Sequence, residues 1–542
     1  MAMRARWLRC QLAIMAVIGG VALLSGCELD SDAPGPMQAG PEDQWHADAI
    51  DVPPAHPTEL EARPLFSEHF PPEEFEERRA RVFREIGSRG LAILQGAPTT
   101  ETLKEFRQSN EFYHLTGIES PHAYVLLDGA TQETRLFLPP RNARREFGDG
   151  KVLSAEDGEL IATLAGIEHV YSYSELPSHL RELAQTGIYE AVFTPFAPPE
   201  LRASSRSGRR TAIGDMEDDP LDVRTPRHVL FQQELERHLP GLAIRDLTPT
   251  LDELRLYKSE REMDMIRAAT RLHGFGILDA MRATEPGITG HEMEAVARYR
   301  YWQHGALGSS YWALAHIGPD AYMNHYPHRV RAAKPGDMLL LDYGADYHYY
   351  TSDMGRMWPA NGRFNEVQRE LYGFYLEFYE AILNRIRPGA TPQEIMQEAL
   401  EEHERLLDEW EFSKEIYAEA AEEFVGSYRQ RAQNPDAGLG HWVGMSVHDP
   451  GSHSGPLQPG LVFVIEPQFR VPEEQIYIRL EDTIAITEDG VEIFSDFVPR
   501  DMESIERLVQ QRGILQDYGP LMDRDGEFME AAERLMREAA GR

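Results

Sequence analysis

The sequence predicts a mixed α/β (α+β) protein built as two α/β domains in succession. Three observations carry that expectation. Short apolar runs alternate with helical patterns up to about residue 247. A long stripe of 3.6-residue period then opens a second region. That region returns to apolar strands, and three of them run into a carboxylate: Asp342, Glu466 and Glu481.

The 542 residues carry 54 Lys+Arg against 90 Asp+Glu, a formal charge of −36. With 42% apolar residues the chain can fill sizeable cores, and its length asks for at least two domains. Wholesale disorder and a disulfide-stapled scaffold are excluded. So acidic a chain repels phosphates, which argues against a nucleic-acid partner.

The N-terminus reads as an address. Arg4, Arg6 and Arg9 precede a 13-residue apolar stretch from Leu12 to Leu24, too short for a membrane span of about 20 residues but suited to a signal-peptide core. Leu24-Ser25-Gly26-Cys27 resembles the bacterial lipoprotein lipobox. That resemblance implies cleavage before Cys27, lipidation of its thiol, and membrane attachment by a lipid anchor in the bacterial cell envelope, periplasm-facing or extracytoplasmic. An ordinary signal peptide cut at a small residue is the alternative. The only other cysteine is Cys10, so under the lipobox reading no thiol is left for catalysis. Residues 28–60 follow, with six prolines among acidic and small residues, the composition of an extended tether.

In the first α/β domain, Leu91–Leu94, Tyr124–Leu127 and Arg135–Leu138 are expected strands. Glu73–Ile86 and Ser174–Gln185 are expected helices, and Ser204–Arg224 an exposed loop. Beyond Leu251 a helix is expected to turn Ile266, Ala269, Thr270, His273, Ile277, Ala280 and Met281 inward, with His273 read as a packed core histidine rather than a ligand. Pro286-Gly287 stops it, and Thr289 with Glu292 forms a capping box for the next helix. Strands are expected at 338–343, 347–353, 461–466 and 476–487. The layout is therefore 1–26 signal peptide, 27–60 tether, 61–247 first domain, 248–500 second domain and 501–542 a charged, solvated helical tail.

Chemistry concentrates in the second domain. Asp342 ends Met338–Leu341 and Asp353 follows eleven residues later; a turn near Gly344–Asp346 would fold the two strands together. Adjacent carboxylates repel unless protons or metal ions lie between them. Taken alone, the pair fits either a metal site or a surface turn. His441 sits between glycines in Gly440–Gly444. Glu466 ends a five-residue apolar run, and the two-residue strand period puts Arg479 and Glu481 on one face. Repeated delivery of carboxylates by apolar strands points to a metal site.

The order Asp342, Asp353, His441, Glu466, Glu481 resembles the ligand set of the pita-bread (M24) metallopeptidases, and within them the aminopeptidase P and prolidase branch. The similarity runs from about residue 70 to 490, with support from Phe106–Ser109, Phe112–Gly117, Leu340–Ala345, Ser352–Arg356, Trp358–Phe364, His441–Asp449 and Val464–Pro467. It implies an aminopeptidase P-like, creatinase-like first domain and a pita-bread catalytic domain. It further implies two divalent ions, Mn(II) first, with Co(II), Fe(II) or Zn(II) as other occupants of an oxygen-rich site. Asp342 would hold one ion, His441 and Glu466 the other, with Asp353 and Glu481 bridging. Glu466 would also move a proton from the attacking water toward the leaving amine. His325 is implied to steady the substrate or tetrahedral intermediate, His448 to line the proline-side pocket, and Arg479 to support the ligands.

The implied activity is release of the N-terminal residue from peptides with proline second, by a homo-oligomer (dimer or tetramer). The alternatives are a prolidase-like dipeptidase and a non-catalytic binding member of the fold. Two positions depart from the family pattern: Ala437 stands where proline-specific relatives carry a histidine, and Gly355 where Thr is usual. His291-Glu292 begins like a zincin helix, but Ala295 replaces the second histidine.

Overall fold

The computed structural model describes residues 69–99, 105–200 and 202–517. The signal peptide, the tether, Cys27 and the tail beyond 517 lie outside the described residues. Among the described residues no helix is long and apolar enough to cross a membrane.

The first region is a six-stranded sheet of β1 (Gly90–Gln95), β2 (Tyr124–Asp128), β3 (Glu133–Leu138), β4 (His169–Ser172), β5 (Ala191–Thr194) and β6 (Ala243–Asp246), in the order β4-β3-β2-β1-β5-β6. β1 pairs antiparallel with β2 and parallel with β5. Its apolar run serves both faces: Leu91 and Ile93 pack into one core, Ala92 and Leu94 into the other. A central strand covered on both sides reads as continuous hydrophobe for this reason.

Helix α1 (Pro72–Ile86) and helix α2 (Asn110–Thr116) tie this sheet to the second region. Arg78 lies 3.5 Å from Glu262, and His114 Nε2 lies 3.1 Å from the same carboxylate. Ser204–Arg224, expected as a loop, instead carries helix α3 (Arg206–Asp218). Ser205 caps it by accepting from Gly208 N–H, and Arg206 buries its guanidinium against Glu111 and Asp252. One anchored end holds an otherwise exposed, polar helix.

In the second region α4 (Glu260–Arg282) packs against α5 (Gly290–Gln303). Every residue of the expected stripe is buried, and the Thr289–Glu292 capping box is present. His273 Nε2 donates to the Met354 carbonyl at 2.9 Å, while Nδ1 meets the Tyr301 hydroxyl. It is a satisfied core histidine.

The strands are β7 (Gly308–Ser309), β8 (Leu314–Ile317), β9 (Met338–Tyr343), β10 (Ala345–Tyr347), β11 (Tyr350–Thr351), β12 (Met354–Pro359), β13 (Val462–Ile465), β14 (Phe469–Val471), β15 (Ile476–Ile478), β16 (Asp482–Thr487) and β17 (Gly490–Ile493). They form sheets β12-β9-β8, β13-β16-β17, β11-β10-β7 and β14-β15. Helices α6 (Glu366–Leu383), α7 (Pro392–Glu409) and α8 (Glu415–Arg431) share the same large core.

Three details differ from expectation. The turn falls not at Gly344–Asp346 but at His348–Tyr349, both at positive φ, so 347–353 is a hairpin tip rather than one strand. Residues 476–487 break at 479–481, where the chain leaves one ladder and enters another. The C-terminal stretch is not wholly solvated: α9 (Met502–Val509) buries Ile505, Leu508 and Val509 in the core.

The hairpin tip explains the first-domain stretches 106–109 and 112–117. Tyr349 stacks on Tyr113 with ring centroids 3.6 Å apart, and its hydroxyl bonds Gln108 N–H at 2.8 Å. Arg107 crosses the Tyr349 ring and donates to Asp346 at 2.9 Å and to the Met445 carbonyl at 3.3 Å. The first domain thus grips the hairpin between Asp342 and Asp353.

Candidate metal centre

Register builds the site. Asp342 lies opposite Gly355 in the β9–β12 ladder, and Gly355 exchanges both backbone hydrogen bonds with Glu481, at 3.2 and 3.0 Å. Gly355 is therefore flanked by two carboxylates. A Cβ there would come within 3.3 Å of the Glu481 Cβ and 3.5 Å of the Asp342 Cβ. Asp353 enters from the residue before β12, and Glu466 from the residue after β13. His441 is fixed by its backbone, whose carbonyl accepts from Val464 N–H at 3.0 Å.

The predicted donors come together. His441 Nε2 lies 3.5 Å from Asp353, 3.7 Å from Glu466 and 3.7 Å from Glu481. Ligand atoms of Asp353, His441 and Glu481 all fall within 4.8 Å of one another, a grouping that could hold a metal ion. Asp342 joins through Arg479, whose guanidinium contacts Asp342, Glu466 at 3.0 Å and Glu481 at 3.4 Å. Asp342, Asp353 and Glu481 are buried, and Glu466 is partly open.

The electrostatics register a shortage of positive charge. Burial, then the neighbouring Glu481, holds Asp353 and Glu466 well above the usual carboxylate range; burial pushes Glu481 itself up to about 7. Burial, then His448, holds His441 well below its ordinary value, in the neutral form that ligates metals. Four carboxylates face one guanidinium and one neutral imidazole. Divalent cations fit this donor set, and oxygen-rich ligation suits hard or borderline metals.

The two other histidines frame the opening. His448 stacks on His441 with centroids 3.9 Å apart. Burial and then His325 lower its pKa, so the two rings feel each other across the site. His325 is exposed, and is lowered first by partial burial and then by Arg479. Asp449, beside His448, is buried against Arg255 at 2.5 Å and Lys258 at 3.2 Å. Ala437 is only partly buried at the core's edge.

Two residues escaped sequence reasoning. The Tyr311 hydroxyl reaches both Asp342, at 2.5 Å, and Asp353, bridging the carboxylates that flank the hairpin. It lies in the short link between β7 and β8, where one tyrosine carries no pattern. His453 lies flat on Trp442, centroids 4.8 Å apart, and its charge bears on His441. It fills space beside Gly438, one residue after Ala437.

Comparisons with known proteins agree with this architecture. Residues 264–488 match the model of Metallopeptidase family M24, and residues 75–190 match that of the aminopeptidase P N-terminal domain. A Haemophilus influenzae Xaa-Pro aminopeptidase is 28% identical over 81% of this chain and 97% of its own length. An Escherichia coli Xaa-Pro aminopeptidase is 27% identical over the same shares. The solved E. coli aminopeptidase P with the inhibitor Pro-Leu superposes with a TM-score of 0.65 at 25% identity, covering 81% of this chain and 98% of that one. The second region is accordingly a pita-bread domain behind an aminopeptidase P-type first domain. Residues 264–488 are thus a metallopeptidase family M24 domain of the aminopeptidase P branch, preceded at 75–190 by an aminopeptidase P N-terminal domain.

Proposed function

We propose that this chain is a metallo-aminopeptidase that releases the N-terminal residue from peptides with proline in second position. The observation that carries the reading is the convergence of Asp353, His441, Glu466 and Glu481, with Asp342 joined through Arg479. Relatives named Xaa-Pro aminopeptidase over nearly their whole length support the substrate class.

In this reading Asp342, Asp353, His441, Glu466 and Glu481 would hold the divalent ions, with Mn(II) as the expected metal. Bound there, the ions supply water activation and stabilisation of negative charge. Glu466, partly open and raised in pKa by burial and Glu481, accepts the water proton and passes it to the leaving amine. His325 and His448 are held neutral at pH 7 and present N–H donors to the developing anionic oxygen and to the proline side of the substrate. Arg479 fixes the carboxylates on their shared face. The envelope address through Cys27 and assembly as a dimer or tetramer belong to the same reading. Cys27→Ala would shift the protein from membrane to soluble fractions, and light scattering would give the assembly.

The test is the purified protein, stripped by a chelator, resupplied with Mn(II) and assayed on Xaa-Pro peptides. Metal-restored release of the first residue is expected. No metal-dependent cleavage of any N-terminal bond would overturn the reading.

A further inference from the structure

Away from the metal centre, the first domain holds a cavity of about 370 Å³ at the carboxyl ends of two parallel strands. Its floor is Gly96 and Ala97 after β1, and Thr194 and Pro195 at the end of β5. Crevices at the carboxyl ends of parallel strands are where open α/β sheets take ligands. Apolar walls come from Phe112 and Phe231.

The charges around it run against the rest of the molecule. In a chain of net charge −36, Arg202, Arg209 and Arg227 converge on this one cavity together with His228. The two carboxylates of the wall are already engaged: Glu111 by Arg206 at 2.8 Å and Arg255 at 3.2 Å, Glu200 by Arg255 at 3.0 Å. Among the described residues, none of the three arginines has a carboxylate within ion-pair distance. Arg227 bonds only the Gly96 carbonyl, at 2.8 Å, and a tyrosine hydroxyl; Arg202 bonds the Glu105 carbonyl at 3.3 Å. Arg209 Nε is shut off from solvent with no hydrogen-bond partner among the described residues. A buried donor left open is costly, so such a group marks a missing acceptor.

We infer that this cavity binds a small organic anion, an anionic head held by Arg209 and Arg227 with an apolar body against Phe112 and Phe231. The planar guanidinium fork suits either a carboxylate or a phosphate head. The site is independent of the metal centre and of the peptidase reading.

The experiment is titration calorimetry on the full, metal-loaded chain. The probes are 3-phenylpropionate and phenyl phosphate, with acetate as head without body and 3-phenylpropanol as body without head. At least one of the first two is expected to bind, at least about tenfold more tightly than either control, and whichever binds better identifies the head. Arg209→Gln/Arg227→Gln is expected to lose that binding by about tenfold or more while keeping its melting temperature and its peptidase rate. If neither aromatic anion binds at millimolar concentration, or the double variant binds it as tightly as the parent, the inference is overturned.

Discussion

Arg255 and Asp449 form an ion pair 2.5 Å apart with both side chains closed to solvent. The same guanidinium reaches Glu111 and Glu200 of the first domain, so one cation secures three carboxylates from both regions; it also donates to Ser446 Oγ at 3.4 Å, and that hydroxyl donates to the His448 carbonyl at 3.1 Å. Arg255→Met leaves that acidic cluster short of its central charge. A loss of about 3–5 kcal/mol is expected in urea unfolding, because removing one partner strands buried charge. A cost under about 1 kcal/mol would show the carboxylates finding other partners.

Tyr311→Phe removes only a hydroxyl shared by Asp342 and Asp353. The ring still packs, so the metal-free chain should melt within a few degrees of the parent. Metal affinity should fall about 10–100-fold, the usual cost of losing a group that orients ligands. Unchanged affinity in a competition titration with a chelating dye would remove Tyr311 from the site.

Stripping the metal should destabilise the protein as well as silence it. Without metal ions, Arg479 pairs with three of the four carboxylates, Asp342, Glu466 and Glu481, and among the described residues no arginine or lysine pairs with Asp353. At metal concentrations about 100 times the dissociation constant, binding contributes about 2.7 kcal/mol, which restoration of Mn(II) should return as a higher melting temperature. Glu481→Gln should blunt that gain. An identical melting curve with and without chelator would contradict metal binding here.

Acid should unfold the protein early through buried histidines. Burial holds His273 and His403 down to about 4, against an ordinary 6.5. Above pH 6.5 both states are neutral and these groups are silent. As pH falls toward 4 the unfolded chain takes up protons that the folded chain refuses, so stability drops, by about 2 kcal/mol for each histidine at pH 5. His403 stacks on Phe378, centroids 3.6 Å apart. His403→Leu should therefore flatten the fall in melting temperature below pH 6.5; an equally steep fall would assign the acid sensitivity elsewhere.

Much of the fold was legible because burial follows local period. The α4 stripe from Ile266 to Met281, its satisfied His273 and the Thr289–Glu292 cap are all written in residues a few positions apart. The donors were legible for a related reason: a carboxylate at the end of an apolar strand stands out wherever it occurs. Composition alone hid α3, whose start depends on Arg206 finding Glu111 and Asp252. The hairpin turn at His348–Tyr349 was hidden too, since Tyr113 and Arg107 of the other domain hold Tyr349 in place.

By itself the sequence determined which side chains carry the chemistry and the order in which the chain delivers them. Only the tertiary structure decided that they meet. Asp342 and Glu481 converge because Gly355 pairs with both, one through the β9–β12 ladder and one through an isolated bridge. Tyr311 joins Asp342 to Asp353 by reaching across from another loop. Local period specifies which face of a strand is buried, whereas which strand lies opposite is set by long-range register.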